Sequence, residues 1–96
     1  MRSALSSAYL AVFHSARAIL FRDGVREKSH YCIGLCLQKY VEEGILEEEW
    51  PMLFDRVRSL RHADQYSFQG KPAKEEVQAG IDLAERFIER MQRLLR

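Results

Sequence analysis

The sequence predicts an all-α protein, an antiparallel up-and-down bundle of four main helices. Three observations predict it. Apolar residues recur at three- and four-residue spacing through four stretches. No stretch alternates with the period of two that a half-buried strand needs. The breaks between stretches are short and carry glycine or proline, so consecutive helices must turn back on one another. At 96 residues, with 47% hydrophobic and 30% charged, the chain suits one domain over 1–96.

The first helix is expected from about Ser3 to Arg22. Leu5, Ala8, Tyr9, Val12, Phe13, Ala16, Ile19 and Leu20 form its apolar face, and Asp23-Gly24 stops it. A second face, Leu10, His14, Arg17 and Phe21, is mixed, so this helix packs on more than one side. The second helix runs from about Ser29, a plausible N-cap, to Glu43. Its buried stripe is Cys32, Ile33, Cys36, Leu37, Tyr40 and Val41, and Gly44 stands where a left-handed residue is expected.

The third helix covers about Glu47 to Gln65. The Glu47–Glu49 run suits the positive end of a helix dipole and is not a metal site. Pro51 must fall in the first turn, because an interior proline breaks the hydrogen-bond ladder. Trp50, Leu53, Phe54, Val57 and Leu60 face the core. Residues 67–73 read as a loop with Gly70 and Pro72 as breakers, and Phe68 is expected to tuck under the bundle. The fourth helix runs from about Lys74 to the C-terminus, lined by Val77, Ile81, Ala84, Ile88, Met91 and Leu95. Phe21, Phe87, Leu94 and Leu10 fall outside the narrow stripes, which predicts a wide bundle or a homodimer.

Lys+Arg is 15 against Asp+Glu 14, a net charge of +1, so an anion site must come from local clustering. Cys32 and Cys36 share a helix face and read as reduced, semi-buried thiols rather than a zinc signature. No uninterrupted apolar run reaches the roughly 18–20 residues of a membrane span. Arg2 and the early serines imitate a targeting peptide, but His14 and Arg17 break the apolar run. The expectation is a cytoplasmic protein with no membrane contact, no cofactor and no metal.

Local clustering is found in the stretch Arg56–Ser67, which gathers Arg56, Arg58, Arg61, His62, Asp64 and Tyr66 where the apolar stripe ends. Such a group can hold a phosphate or move a proton, and it can also be a solvated helix end. At about 100° per residue, positions 56 and 62 lie ~120° apart around a straight helix and ~9 Å along it. Arg58, His62 and Tyr66 are successive neighbours at four-residue spacing, flanked by Arg61. Lys28 and His30 flank a helix N-terminus, a natural anion site. Tyr9 reads as core, and His14 as a core histidine bonded to a neighbouring side chain.

Several blocks resemble a known family. Ala8–Leu20 (AYLAVFHSARAIL) resembles the Tyr-Phe-His helix of HEPN domains, the higher-eukaryote and prokaryote nucleotide-binding family. Gly24, the Lys28-Ser29-His30 triplet and the Glu43-Gly44 helix end are also similar to that family. Leu60–Ser67 (LRHADQYS) is similar to its Leu-Arg-x-x-Ala-Asp-Tyr-Ser block, with one extra residue before the tyrosine. Glu75-Glu76 through Phe87-Ile88 follows its last helix. Members usually carry a further helix ahead of the Tyr-Phe-His helix, so the chain is a short version or is truncated at its start.

The resemblance implies a nucleotide- or RNA-binding protein, a component of a toxin–antitoxin module whose partner is a nucleotidyltransferase antitoxin. Nuclease members are metal-independent and carry an arginine, four to six residues, then a histidine. Arg56 and His62 fit that spacing as catalytic residues of a ribonuclease, although Val57 is apolar where a polar residue often follows the arginine. Arg58, Arg61, Tyr66 and Lys28 are then the nucleotide- or RNA-binding residues. Arg61 and Asp64 are expected to form a structural pair at the helix end. The remaining alternative is a non-catalytic scaffold that docks a partner through its spare apolar face.

Overall fold

The computed structural model describes residues 4–66 and 74–95, with the side chains of residues 64–66 outside the described set. Among the described residues there are four helices and no strand: α1 (Ala4–Arg22), α2 (His30–Glu42), α3 (Glu49–Tyr66) and α4 (Lys74–Leu95). The protein is an all-α helical bundle. The loop 67–73 and Phe68 lie outside the described residues.

Local chemistry explains the boundaries. Cys32 N donates to the Ser29 side chain at 3.5 Å, so Ser29 caps α2. Gly44 ends that helix at φ 76° and Gly24 follows α1 at φ 84°, both left-handed backbone that glycine adopts without strain. Pro51 occupies the first turn of α3, where no intrahelical donor is lost. There the Trp50 indole N–H donates to Glu47 Oε1 at 2.7 Å.

The core draws Val12, Ala16, Ile19 and Leu20 from α1, and Ile33 and Leu37 from α2. Trp50, Phe54 and Val57 come from α3, and Ala84, Phe87 and Met91 from α4. Phe87, expected outside the narrow stripe, is fully buried between Phe54 and Trp50, at ring-centroid distances of 5.7 and 6.3 Å. The inner face of α4 is therefore turned toward Ala84, Phe87 and Met91, and Leu95 is exposed. Burying a phenylalanine in this way contributes about 1.5–3 kcal/mol. By length and composition α1 also passes as a membrane span, contrary to the expectation from its broken apolar run. Here its apolar stripe is used in the core.

α2, α3 and α4 alternate in direction, since His30 meets Asp55 and Glu47 meets Arg90. The first connection is a crossover. Residues 23–29 return along α1: Val25 N bonds Leu20 O, Arg17 Nε bonds Glu27 O, and His30 meets Tyr9. At the far end of α2 the Tyr40 hydroxyl donates to Asp23. α2 thus begins level with Tyr9 and runs alongside α1 in the same sense. The strap formed by 23–29 positions everything described next.

Candidate functional site

Three of the sequence blocks that carry the family resemblance converge at the outer side of α1 and α3. α1 supplies Tyr9, the end of the strap supplies His30, and α3 supplies Arg61. α3 adds Phe54, Asp55 and Arg58 at three- and four-residue spacing, which puts them on one stripe.

The imidazole of His30 lies between two polar partners. Tyr9 Oη and His30 Nδ1 are 2.9 Å apart, and His30 Nε2 is 3.4 Å from Asp55 Oδ1. The partners assign the tautomer: the phenol donates to Nδ1, and the Nε2 proton faces the carboxylate. Below the ring sits Phe54, parallel to within 4° at a centroid distance of 4.2 Å. The Arg61 guanidinium covers the Tyr9 ring at 4.9 Å, and its buried Nε has no hydrogen-bond partner among the described residues.

Burial pushes the His30 pKa below its ordinary value, and the charge of Arg58 adds to that. The hydrogen bond to Asp55 opposes both. Burial raises the Tyr9 phenol, with Arg61 and Arg58 pulling against it. The result is an imidazole disfavoured as a cation, with the charge of Arg58 acting on it and the Arg61 guanidinium over the phenol bonded to it. Chemically, that set can accept or relay a proton beside a held anion. The outer end is open: Asp55 is 72% exposed, and a groove of about 270 Å3 between α2 and α3 begins at His30 and Asp55.

The expected site residues separate in space. Arg58 and Arg61 join Tyr9 and His30. Arg56 lines a different groove, of about 340 Å3, with Glu49, Met52, Leu53, Leu83 and Arg86. His62 is exposed near the end of α3. The side chains of Asp64 and Tyr66 are outside the described residues. Lys28 lies on the strap and borders a cleft of about 370 Å3 with Arg17, Ala18, Phe21, Val25 and Arg26. His14, expected in the core, is exposed and edge-on to Phe13, because the buried positions of α1 turn residue 14 outward.

His30 and Asp55 were not singled out together by the sequence. His30 stood in the Lys28-Ser29-His30 block and, with Lys28, at a helix N-terminus, and the available signal for Asp55 is its three-residue spacing from Arg58. Tyr9 is buried as expected, yet its hydroxyl belongs to the cluster.

Fold and site together define a small helical domain that sets a histidine at the start of one helix beside arginines of the next. A family model for the HEPN domain matches residues 1–94. A protein of Methanocaldococcus jannaschii named "Putative toxin MJ0605" is 33% identical over 96 residues, covering 99% of this chain and 71% of that relative. The chain belongs to the HEPN domain family. No solved structure matches the chain.

Proposed function

We propose that this HEPN domain is the toxin-type component of a toxin–antitoxin module and that it binds RNA or a nucleotide at the Tyr9–His30–Arg58–Arg61 cluster. The observation that carries the reading is the hydrogen-bonded pair Tyr9–His30, oriented by Asp55, with the Arg61 guanidinium over Tyr9 and the charge of Arg58 acting on both rings. Two guanidinium groups suit phosphate oxygens, and the groove that begins at His30 and Asp55 gives a base room beside the imidazole. The relative's name supports the toxin assignment. A nucleotidyltransferase antitoxin is the partner this reading implies, the cytoplasm its compartment, and a homodimer its assembly. Exposed Tyr31, Leu35 and Met52 supply apolar surface for such contacts.

Binding of labelled single-stranded RNA, measured across a salt series, tests the reading. Arg58→Ala and Arg61→Ala should each weaken binding and flatten its salt dependence. Unchanged affinity in both variants removes the cluster as the site.

A second reading, metal-independent ribonuclease, is favoured by the hydrogen bond of Tyr9 to His30 Nδ1, 2.9 Å long, with the charge of Arg58 acting on both rings. The Tyr9 hydroxyl then passes its proton to His30 Nδ1 and takes that of a 2′-hydroxyl, whose oxygen attacks phosphorus; the arginines neutralise the phosphorane charge, and the 5′-oxygen leaves with the proton given back by the imidazolium. The rival assignment within this reading uses Arg56 and His62. Cleavage with chelator present, compared among wild type, His30→Ala and His62→Ala, separates them. Loss in the first variant alone selects His30, loss in the second alone selects His62, and equal background in all three leaves binding without cleavage.

A further inference from the structure

The strap does more than deliver His30. As it returns along α1 it faces the row Tyr9, Phe13, Arg17 and Phe21, each four residues from the last. Tyr9 and Phe13 have ring centroids 5.9 Å apart, and the Arg17 guanidinium sits 5.9 Å from the Phe13 ring. The Arg26 guanidinium sits 5.5 Å from the Phe21 ring, while Arg61 covers Tyr9 at the other end. Aromatic rings and cations thus interleave along about 18 Å of α1, too long a track for one nucleotide.

At the strap end of this track is the cleft of about 370 Å3. Arg17, Arg26 and Lys28 line it, and none of its six lining residues is acidic. Glu27, between the two strap cations, is not among the lining residues, and its charge reaches Cys36 of α2. Arg17 is fixed by its bond to the Glu27 carbonyl at 3.0 Å, so one cation is held in place beforehand. Phe21 is 62% exposed, a large apolar ring left at the mouth of a cationic hollow. Three like charges gathered without a lining carboxylate repel one another, and an anion relieves that repulsion. An exposed ring among such cations suits a stacked base, which every nucleotide carries.

We propose that the cleft of Arg17, Phe21, Arg26 and Lys28 is a second nucleotide subsite, where a phosphate of single-stranded RNA lies against Arg26 and Lys28 and a base stacks on Phe21. The strand then continues along α1 toward Arg61 and His30. This extension rests on the RNA reading of the first cluster, whereas the cleft itself is tested separately.

The experiment measures anisotropy of a fluorescein-labelled 12-nucleotide oligoadenylate, with inorganic polyphosphate as a charge-only competitor. The double variant Arg26→Glu/Lys28→Glu should bind the oligoadenylate at least tenfold more weakly. Its log–log salt slope should be shallower by about 0.7, from the loss of one phosphate contact. Phe21→Leu should weaken oligoadenylate about fivefold or more and leave polyphosphate competition unchanged. The altered side chains are exposed, and circular dichroism with thermal melting checks that the variants fold. Oligoadenylate affinity within twofold of wild type in the double variant overturns the subsite. So does a Phe21→Leu loss that is equal for polyphosphate, and so does intact RNA binding with loss of a protein partner. If Arg58→Ala and Arg61→Ala bind normally while the strap variants do not, the cleft stands and the first cluster falls. If wild type binds no oligoadenylate, both fall.

Discussion

The imidazole of His30 rests flat on the ring of Phe54, 4.2 Å between centroids and 4° between planes. One face of the histidine is thereby closed to water, and its two nitrogens are left to Tyr9 and Asp55. Phe54 is 1% exposed and also stacks on Phe87, so it couples the site to the core. Phe54→Ala should cost about 3–5 kcal/mol in urea denaturation, through a cavity beneath the ring. Phe54→Leu should cost less and keep the fold, while loosening His30 enough to weaken RNA binding. A leucine variant with wild-type RNA affinity would show that the stack is structural only.

His30 gives stability a pH dependence of known sign. Its pKa is lowered in the folded state, so between that value and the ordinary 6.5 the unfolded chain binds more protons. Folding stability is therefore fully present above about pH 6.5 and falls as the pH drops below it. His30→Gln should flatten the curve of unfolding free energy in that window. Urea titrations between pH 5 and 7.5 check it, and a parallel decline in the variant would assign the slope to other groups.

Glu47 and Arg90 give a separate acid dependence. Arg90 Nε and Nη2 donate to the two carboxylate oxygens at 2.7 and 3.1 Å, tying α4 to the turn before α3. Those bonds first, and the Trp50 indole second, hold the Glu47 carboxyl down to about 2. A carboxyl depressed in the folded state stabilises above its ordinary 4.5, and that contribution is lost as the pH falls toward 2. Glu47 is half exposed, so Arg90→Met should cost only about 0.5–1 kcal/mol at pH 7. The difference from wild type should shrink from pH 4.5 downward and vanish only below about pH 2 in acid melts.

Gly80 of α4 lies under side chains of α1 and α3. A Cβ there would lie 2.8 Å from Leu5 Cδ2 and 3.1 Å from Leu60 Cδ1. Gly80→Val should overpack this corner and cost about 1–3 kcal/mol in thermal or urea unfolding. Leu60→Ala in the same chain should recover part of that cost, because it removes one of the two obstructing side chains.

Much of the bundle is legible in the sequence for a simple reason. The apolar spacing, Ser29, Gly44 and the Pro51 turn are local signals, and each acts where it stands. The family assignment was legible because the resembling blocks span almost the whole chain. The site was less so. Reading α3 as an isolated helix grouped Arg58 with His62, whereas the crossover brings His30 to Arg58 from 28 residues away in sequence. The same long-range packing turned Phe87 inward and His14 outward. A helical wheel contains no information about which neighbour a strap will deliver to it.

The strap also sets a length. From Val25, beside Leu20, to His30, beside Tyr9, the chain must cover about 16 Å, eleven residues of helical rise. Five residues reach only about 17–18 Å when drawn out fully. That leaves almost no slack, so the strap works as a ruler: removing one residue drags the imidazole off its mark, and adding one lets it drift. Tolerance to insertions, ordinary for surface connections, ends between Val25 and His30.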